Sequence, residues 1–372
     1  MRRVLAILLL VVPPIVLCVP PAAGQGSPFG IRGLGVPGRP ESVRARATGG
    51  AFAPFDPLSA LTETALSGVT ALTATAGAAG SYLTDEVAGL RESRRGGRFP
   101  VFGVLGPVWH GIVMGGGFST YLDRTYRLVI DDTLLLGGAP QPVTDVLASD
   151  GGVTDMRLVA ARRFGSLALG AGFHLLSGST RQSVQRTFGD SATYLGVRQN
   201  GEVAYAGAGA SVSAALTLRH SVAVSVFYRT DDKLTGKVGN TIVSRNDLPA
   251  TVGVGVQWQP APDARVAATL THSSWAGAAD SGAFNVTNWA VGAELGSSLP
   301  LRLGVRSAQL PFGPGTSAPR ELAIAAGSGI SVAHGLGVID VALERLRRTG
   351  SGLTESGWTV MMGLTIRPTL RP

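Results

Sequence analysis

The chain has 372 residues, a formal net charge of +8 and one cysteine, and only 15% of its residues are charged, against about 25% in ordinary soluble domains. Its mean hydropathy is +0.25. Nucleic-acid binding needs basic residues gathered on one face of a recognisable module; here they are scattered, with one short cluster at Arg91, Arg94, Arg95 and Arg98, so no nucleic-acid partner is expected.

Residues 1–24 read as a secretory signal peptide. Met1-Arg2-Arg3 is followed by an uncharged run over 4–12, then Pro-rich sequence, then Ala22-Ala23-Gly24, which is the order of n-region, h-region and small-residue cleavage site. Pro13, Pro14 and Pro20 cut the apolar run short of the roughly 20 residues a spanning helix needs. Cleavage after Gly24 removes Cys18 and with it all thiol and disulfide chemistry. Residues 25–68 are rich in Gly, Pro and Arg, show no sustained alternation, and read as irregular structure with one short helix near 57–65.

From residue 69 to the end at 372 the pattern changes to strands. Fourteen candidates fall at 69–82, 99–108, 111–129, 153–162, 166–188, 203–218, 221–230, 248–260, 264–274, 284–297, 301–310, 321–333, 337–346 and 357–368. Alternation is cleanest late in the chain. Val252, Val254, Val256 and Trp258 share one parity, while Thr251, Gly253, Gly255 and Gln257 share the other. Successive strand residues point to opposite faces, so one face is bulky and apolar and the other small or polar. Arg265, Glu294, Arg302, Arg306 and Arg367 fall on the small face.

Two folds suit this pattern. A soluble sandwich buries the apolar face against a second sheet and wets the small one from outside; a transmembrane barrel turns the apolar face to lipid and lines a wet lumen with the small one. The connections favour a barrel. Links such as 260–263, 298–300 and 334–336 are short, whereas 231–247, 275–283 and 347–355 are longer and polar, and short turns at one rim with long loops at the other are the outer-membrane arrangement. The class expected is all-β: a transmembrane antiparallel β-barrel of about 14 strands. Its basic rim suits anionic outer-membrane lipid and lipopolysaccharide headgroups. Trp109, Trp258, Trp275, Trp289 and Trp358 are candidates for a sparse interfacial belt.

No catalytic, metal or cofactor site is expected, and the protein reads as a non-enzyme. His110, His174, His220, His272 and His334 are isolated and lack metal-ligand spacing. His272-Ser273-Ser274 has no third group to orient a base. Asp131-Asp132 and Asp231-Asp232 read as solvated surface rather than calcium ligands. Gly115–Gly117 and Gly151-Gly152 have no following Lys-Ser/Thr, so they are no phosphate loop.

Within 44–61, Gly49-Gly50-Ala51-Phe52 followed by Asp56, Ser59 and Ala60 resembles the N-terminal signature of FadL-type outer-membrane transporters, a superfamily that includes PorV-like proteins. The Asn-Pro-Ala-Gly that usually follows is replaced by Thr64-Ala65-Leu66-Ser67. The resemblance implies a bacterial outer-membrane barrel with residues 25–68 folded inside as a hatch. It implies passive passage of hydrophobic small molecules of fatty-acid or hydrocarbon type, with a sideways exit where a strand kinks inward. Gly115, Gly116 and Gly117 are the candidates for that kink; close packing of a Gly-rich strand against the hatch is the equal alternative. Phe52, Phe55 and Phe118 are candidate cargo contacts, each with core packing as the plainer role. Gly49, Gly50, Asp56 and Arg46 are expected in hatch packing, with Asp56 or Arg46 meeting polar partners on the wall. The alternatives are a PorV-like scaffold binding exported proteins and a secreted soluble all-β protein.

Overall fold

The computed structural model describes residues 26–87, 89–218, 221–277, 282–313 and 315–368. The expected signal peptide, Cys18 and His220 lie outside them.

Fourteen antiparallel strands close into a barrel. They are β1 (Thr73–Val87), β2 (Leu90–Trp109), β3 (Ile112–Asp123), β4 (Ala139–Phe164), β5 (Leu167–Phe188), β6 (Val197–Leu218) and β7 (Val222–Asp231), followed by β8 (Thr251–Ala261), β9 (Ala264–Ser273), β10 (Val286–Leu295), β11 (Leu301–Gln309), β12 (Arg320–Val332), β13 (Gly337–Gly350) and β14 (Leu353–Ile366). Each of the fourteen expected strands has its counterpart. Closure is made by β14 against β1, in register from Ile366↔Ala74 to Leu353↔Val87, so each of the fourteen wall strands is paired on both sides and the wall itself has no open edge.

Which face is wet is decided by burial. Val252, Val254, Val256 and Trp258 on β8 are 52%, 36%, 42% and 52% exposed, while Gly253 and Gly255 between them are buried. Leu322, Ile324, Val360 and Trp358 are likewise exposed, and the charged Glu294, Arg302, Glu321, Asp340, Glu344 and Glu355 are buried inside. A sandwich would show the opposite. An apolar outer belt around a charged interior is the transmembrane arrangement, because an arginine facing lipid near the midplane costs about 2–4 kcal/mol.

One rim carries short turns, such as those between β2 and β3, β4 and β5, and β8 and β9. At the other rim several strands overrun the wall. Tyr126–Leu136 forms a hairpin with the first half of β4. The expected loop over 231–247 is largely a second hairpin, Leu234–Val238 with Thr241–Asn246, whose first strand pairs back onto β6 through Thr235↔Ala206. Its Thr-Ile-Val run is strand-forming by composition, and the neighbouring edge of β6 gives it a partner. Trp109, Trp258, Trp289 and Trp358 stand exposed on the outer face, but Trp275 does not join them: it is buried against Phe312, ring centroids 5.2 Å apart.

Candidate functional site: the lumen and the segment inside it

Residues 26–68 lie within the barrel. They begin near the long-loop rim, where Val36–Pro37 pairs with Leu122 and Asp123 of β3, and circle the inner wall before β1 starts. A track of small inward-facing residues makes room for them. An added Cβ at Gly363 would stand 3.0 Å from Val43, at Gly327 2.6 Å from Ala47, at Gly255 2.9 Å from Pro54 and at Gly170 2.6 Å from Glu63. At Gly304 it would run into the Thr48 backbone itself. The glycines on the inner face therefore mark the path of the segment, which accounts for their number better than strand bending does.

The segment folds around its own motif. Helix α1 (Val43–Arg46) is capped by Ser42, whose Oγ accepts from the Ala45 N–H at 3.1 Å. Gly49 and Gly50 have φ of +69° and +96°, and their N–H groups return to Arg46 and Ala45 carbonyls at 3.0 and 2.9 Å. Residues with side chains avoid this left-handed turn at a helix C-terminus. Asp56 accepts from Ser42 Oγ, from Ser59 Oγ at 3.2 Å and from the Leu58 N–H at 3.3 Å. Its partners thus belong to the segment rather than the wall. Arg46 does reach the wall and donates to Glu344 of β13 at 3.0 Å.

Further ion pairs join segment to wall. Arg39 shares Glu344 with Arg46, and Arg44 makes a bidentate contact with Glu294 of β10, 3.2 Å on each branch. Burial alone disfavours the charged forms of Arg39 and Glu41. Attraction outweighs it: Glu344 and Glu41 hold the Arg39 pKa above its ordinary value, and Arg39, then Arg306 and Arg46, hold Glu41 below the usual carboxylate range. Buried charges stay ionised only when paired in this way.

A cavity of about 250 Å³ lies between the segment and the long-loop rim, with Gly49, Gly50 and Leu61 on its floor. Towards the rim it meets an apolar cluster built by Leu34, Leu122, Leu176, Leu234, Trp275 and Phe312, among others. One side carries Arg306, Glu321 and Arg348; the other carries Tyr121, Asp155, His174, Ser211, Arg229 and Asp231. These last six form one hydrogen-bonded chain. Tyr121 donates to Asp231 at 3.0 Å, Arg229 bridges Asp231 and Asp155 at 2.8 and 2.6 Å, His174 Nδ1 meets Asp155 at 3.0 Å, and His174 Nε2 meets Ser211 Oγ at 2.7 Å. Ser211 and Ser213 then donate to Glu63 of the segment. His174, which reads as isolated in the sequence, is therefore the middle of a network. The signal that finds it is parity: Asp155, His174, Ser211 and Arg229 all fall on inner-face positions. Asp155, His174 and Ser211 follow the order of a nucleophilic triad. However, the serine also bonds to Glu63, and the strand around it is paired on both edges, so no free backbone N–H is offered to an oxyanion.

The other expected site residues divide. Phe52 is buried with Ala51, Ala267 and Ala290, under the Arg265 guanidinium. Phe55 packs by Gly255 and lines a separate pocket with Pro54 and Gln257, on the short-turn side of the segment. Neither faces the 250 Å³ cavity. Phe118 is corrected outright: it lies on the outer parity of β3, 39% exposed, and stacks on Phe102 at 5.6 Å. It faces away from the lumen. Gly115, Gly116 and Gly117 do not kink the wall. They pair with Leu105, Val104 and Gly103 on one side and with Val159, Leu158 and Arg157 on the other. Gly115 instead faces Leu66 of the segment, and Gly117 lies against the β2 backbone. The irregularity of β3 falls at Tyr121, where the register with β4 shifts.

No known family model matches the chain, and no curated protein matches it. Solved structures do. The Ralstonia pickettii toluene transporter TbuX is 16% identical with a TM-score of 0.59, covering 91% of this chain and 99% of that one. A Pseudomonas aeruginosa FadL homologue is 11% identical with a TM-score of 0.62 (90% and 99%), and the P. putida toluene transporter TodX is 13% identical with a TM-score of 0.58 (92% and 100%). The chain has the FadL-type barrel fold.

Proposed function

We propose that this protein is an outer-membrane channel for the passive passage of small hydrophobic molecules. The observation that carries the reading is the cavity of about 250 Å³ set between an apolar cluster near the outer rim and a segment that occupies the lumen below it. An apolar cavity of about 150 Å³ suffices for benzene, so this one suits a molecule of about one ring, taken from water by burial of its apolar surface. The solved structures of like fold include toluene transporters, which supports the same size class. The charged side walls favour cargo that also carries a polar group. With Gly115–Gly117 paired on both edges, passage runs along the axis and requires displacement of part of the segment 43–66. The test is uptake of radiolabelled toluene by intact cells of a Gram-negative host expressing the chain. Faster uptake than in vector controls is expected. Equal uptake, with the barrel shown to be in the outer membrane by heat-dependent gel mobility, would reject the reading.

A further inference from the structure

We infer that one sector of the outer wall binds a phosphorylated, acylated lipid of the outer leaflet, the class to which lipid A belongs. The sector is the outer face of β12, β13, β14, β1 and β2 beside the long-loop rim. The site goes beyond the proposed passage and does not depend on it.

Three rows of side chains cross these strands. In the row nearest the apolar belt, Arg345, Trp358, Tyr82 and Arg95 stand opposite one another on four neighbouring strands. The two rings are neighbours across the β14–β1 seam, each with its own guanidinium: Arg345 Cζ is 5.2 Å from the Trp358 ring centre and Arg95 Cζ is 5.8 Å from that of Tyr82. The next row is Arg347, Ser356, Thr84 and Ser93, where Thr84 and Ser93 share a hydrogen bond at 3.0 Å. The last row runs from Arg320 to Glu86 and Arg91. Trp and Tyr collect where acyl chains give way to headgroups, so the rows above them lie at headgroup depth.

Charge sets this sector apart. Arg95, Arg320, Arg345 and Arg347 are exposed, and none forms an ion pair with a described residue. Glu86 is the one carboxylate on the outer parity of these five strands among the described residues, and Arg91 holds it at 3.0 Å. Strands β7 to β11 place no Arg or Lys on that parity. In the lumen, by contrast, Arg39, Arg46, Arg302 and Arg348 each meet a carboxylate. The unpaired guanidiniums leave a positive field at the membrane surface, which an anionic headgroup cancels. All four are arginines, whose planar fork matches phosphate two bonds at a time.

The wall below has a place for an acyl chain. On β1 the outward positions Ala76, Ala78 and Gly80 are small, and a Cβ added at Gly80 would meet nothing within 4 Å. Beside them β14 carries Leu364, Met362 and Val360, and β2 sets Phe102 opposite Ala76. The resulting trough leads away from Tyr82 along one strand. Free phosphate would use the arginines alone; a lipid uses arginines and trough together.

The experiment uses the full chain in detergent. It is titrated with bis-phosphorylated lipid A and, separately, with inorganic phosphate, and bound copies are counted by native mass spectrometry. Arg95→Gln, Arg345→Gln and Arg347→Gln should each weaken lipid A binding about fivefold, the effect of one basic residue at an anionic surface. The three together should weaken it at least tenfold. A control triple, Arg127→Gln with Arg198→Gln and Arg245→Gln, removes the same charge from exposed positions elsewhere at that rim and should change binding less than twofold. Gly80→Leu fills the trough without removing charge; it should weaken lipid A binding and leave inorganic phosphate unaffected. Heat-dependent gel mobility identifies the folded variants, and the single replacements carry the test if the triple does not fold. Wild-type binding in the folded arginine variants, or an equal loss in the control triple, would overturn the site. Unchanged lipid A binding in Gly80→Leu, or inorganic phosphate bound as tightly as lipid A, would overturn the lipid as its occupant. No readout involves flux, so failure here and failure of the channel reading are separable.

Discussion

The barrel wall and the segment inside it are both well packed, but they are held by different physics. The wall is a repeated ladder: every strand pairs with two neighbours, and its outer face needs only apolar side chains. The segment has one four-residue helix, a two-residue strand and short 3-10 turns. It is held by particular polar contacts, to Glu344, Glu294, Ser211 and Ser213, and by glycines that leave space for it. A ladder shares its load over many bonds; an irregular chain in a lumen depends on a few. The wall should therefore tolerate most single changes, and the segment should be released by single changes that leave the wall standing.

The sharpest break in that comparison is Glu344→Ala. It leaves Arg39 and Arg46 in the lumen without their shared carboxylate, and removing one partner of a buried pair costs about 3–5 kcal/mol. Residues 26–68 should become open to protease while the barrel keeps its heat-dependent gel mobility. The opposite lesion is Val254→Arg, on the outer face of β8. It should cost about 2–4 kcal/mol in unfolding from lipid vesicles and leave the segment as protected as before in the molecules that fold. Gly304→Leu drives a side chain into the Thr48 backbone; overpacking of this kind costs about 1–3 kcal/mol. It should displace the segment and raise ion conductance in planar bilayers. Ser42→Ala removes both the cap of α1 and a donor to Asp56. A loss of about 0.5–2 kcal/mol should appear as faster proteolysis of the segment alone.

The smallest effect is expected at Gly116→Val. Gly116 is on the outer parity of β3, and an added Cβ finds nothing closer than 3.4 Å. Stability should stay within about 0.5 kcal/mol, and toluene uptake should equal that of the wild type. Reduced uptake in a correctly inserted variant would bring the wall at Gly115–Gly117 back into the route.

Strand number, the grouping of charges on one face and the two kinds of connection were legible in the chain, because each depends on residues near one another in sequence. Phe118 shows the limit. As a residue type it suits a cargo site, yet the parity that turns it outward is fixed by the pairing of β3 with β2 and β4. Asp155, His174 and Ser211 lie on three different strands, and only the lateral register of the sheet makes neighbours of them. Asp56 looked like a wall contact and proved to staple its own segment, because the turn through Gly49 and Gly50 leads the chain back towards Ser42.

By itself, then, the sequence determined a two-faced strand pattern with one small, polar face, and a leading segment unlike the rest. Alternation is a local property and is written out residue by residue. It is symmetric, however, between a sheet wet on its small face from outside and one wet from within. Only closure of β14 onto β1 decided that the small face encloses a lumen. Only that lumen gave Arg39, Arg44 and Arg46 of the segment their partners, since Glu344 and Glu294 stand on wall strands remote in sequence.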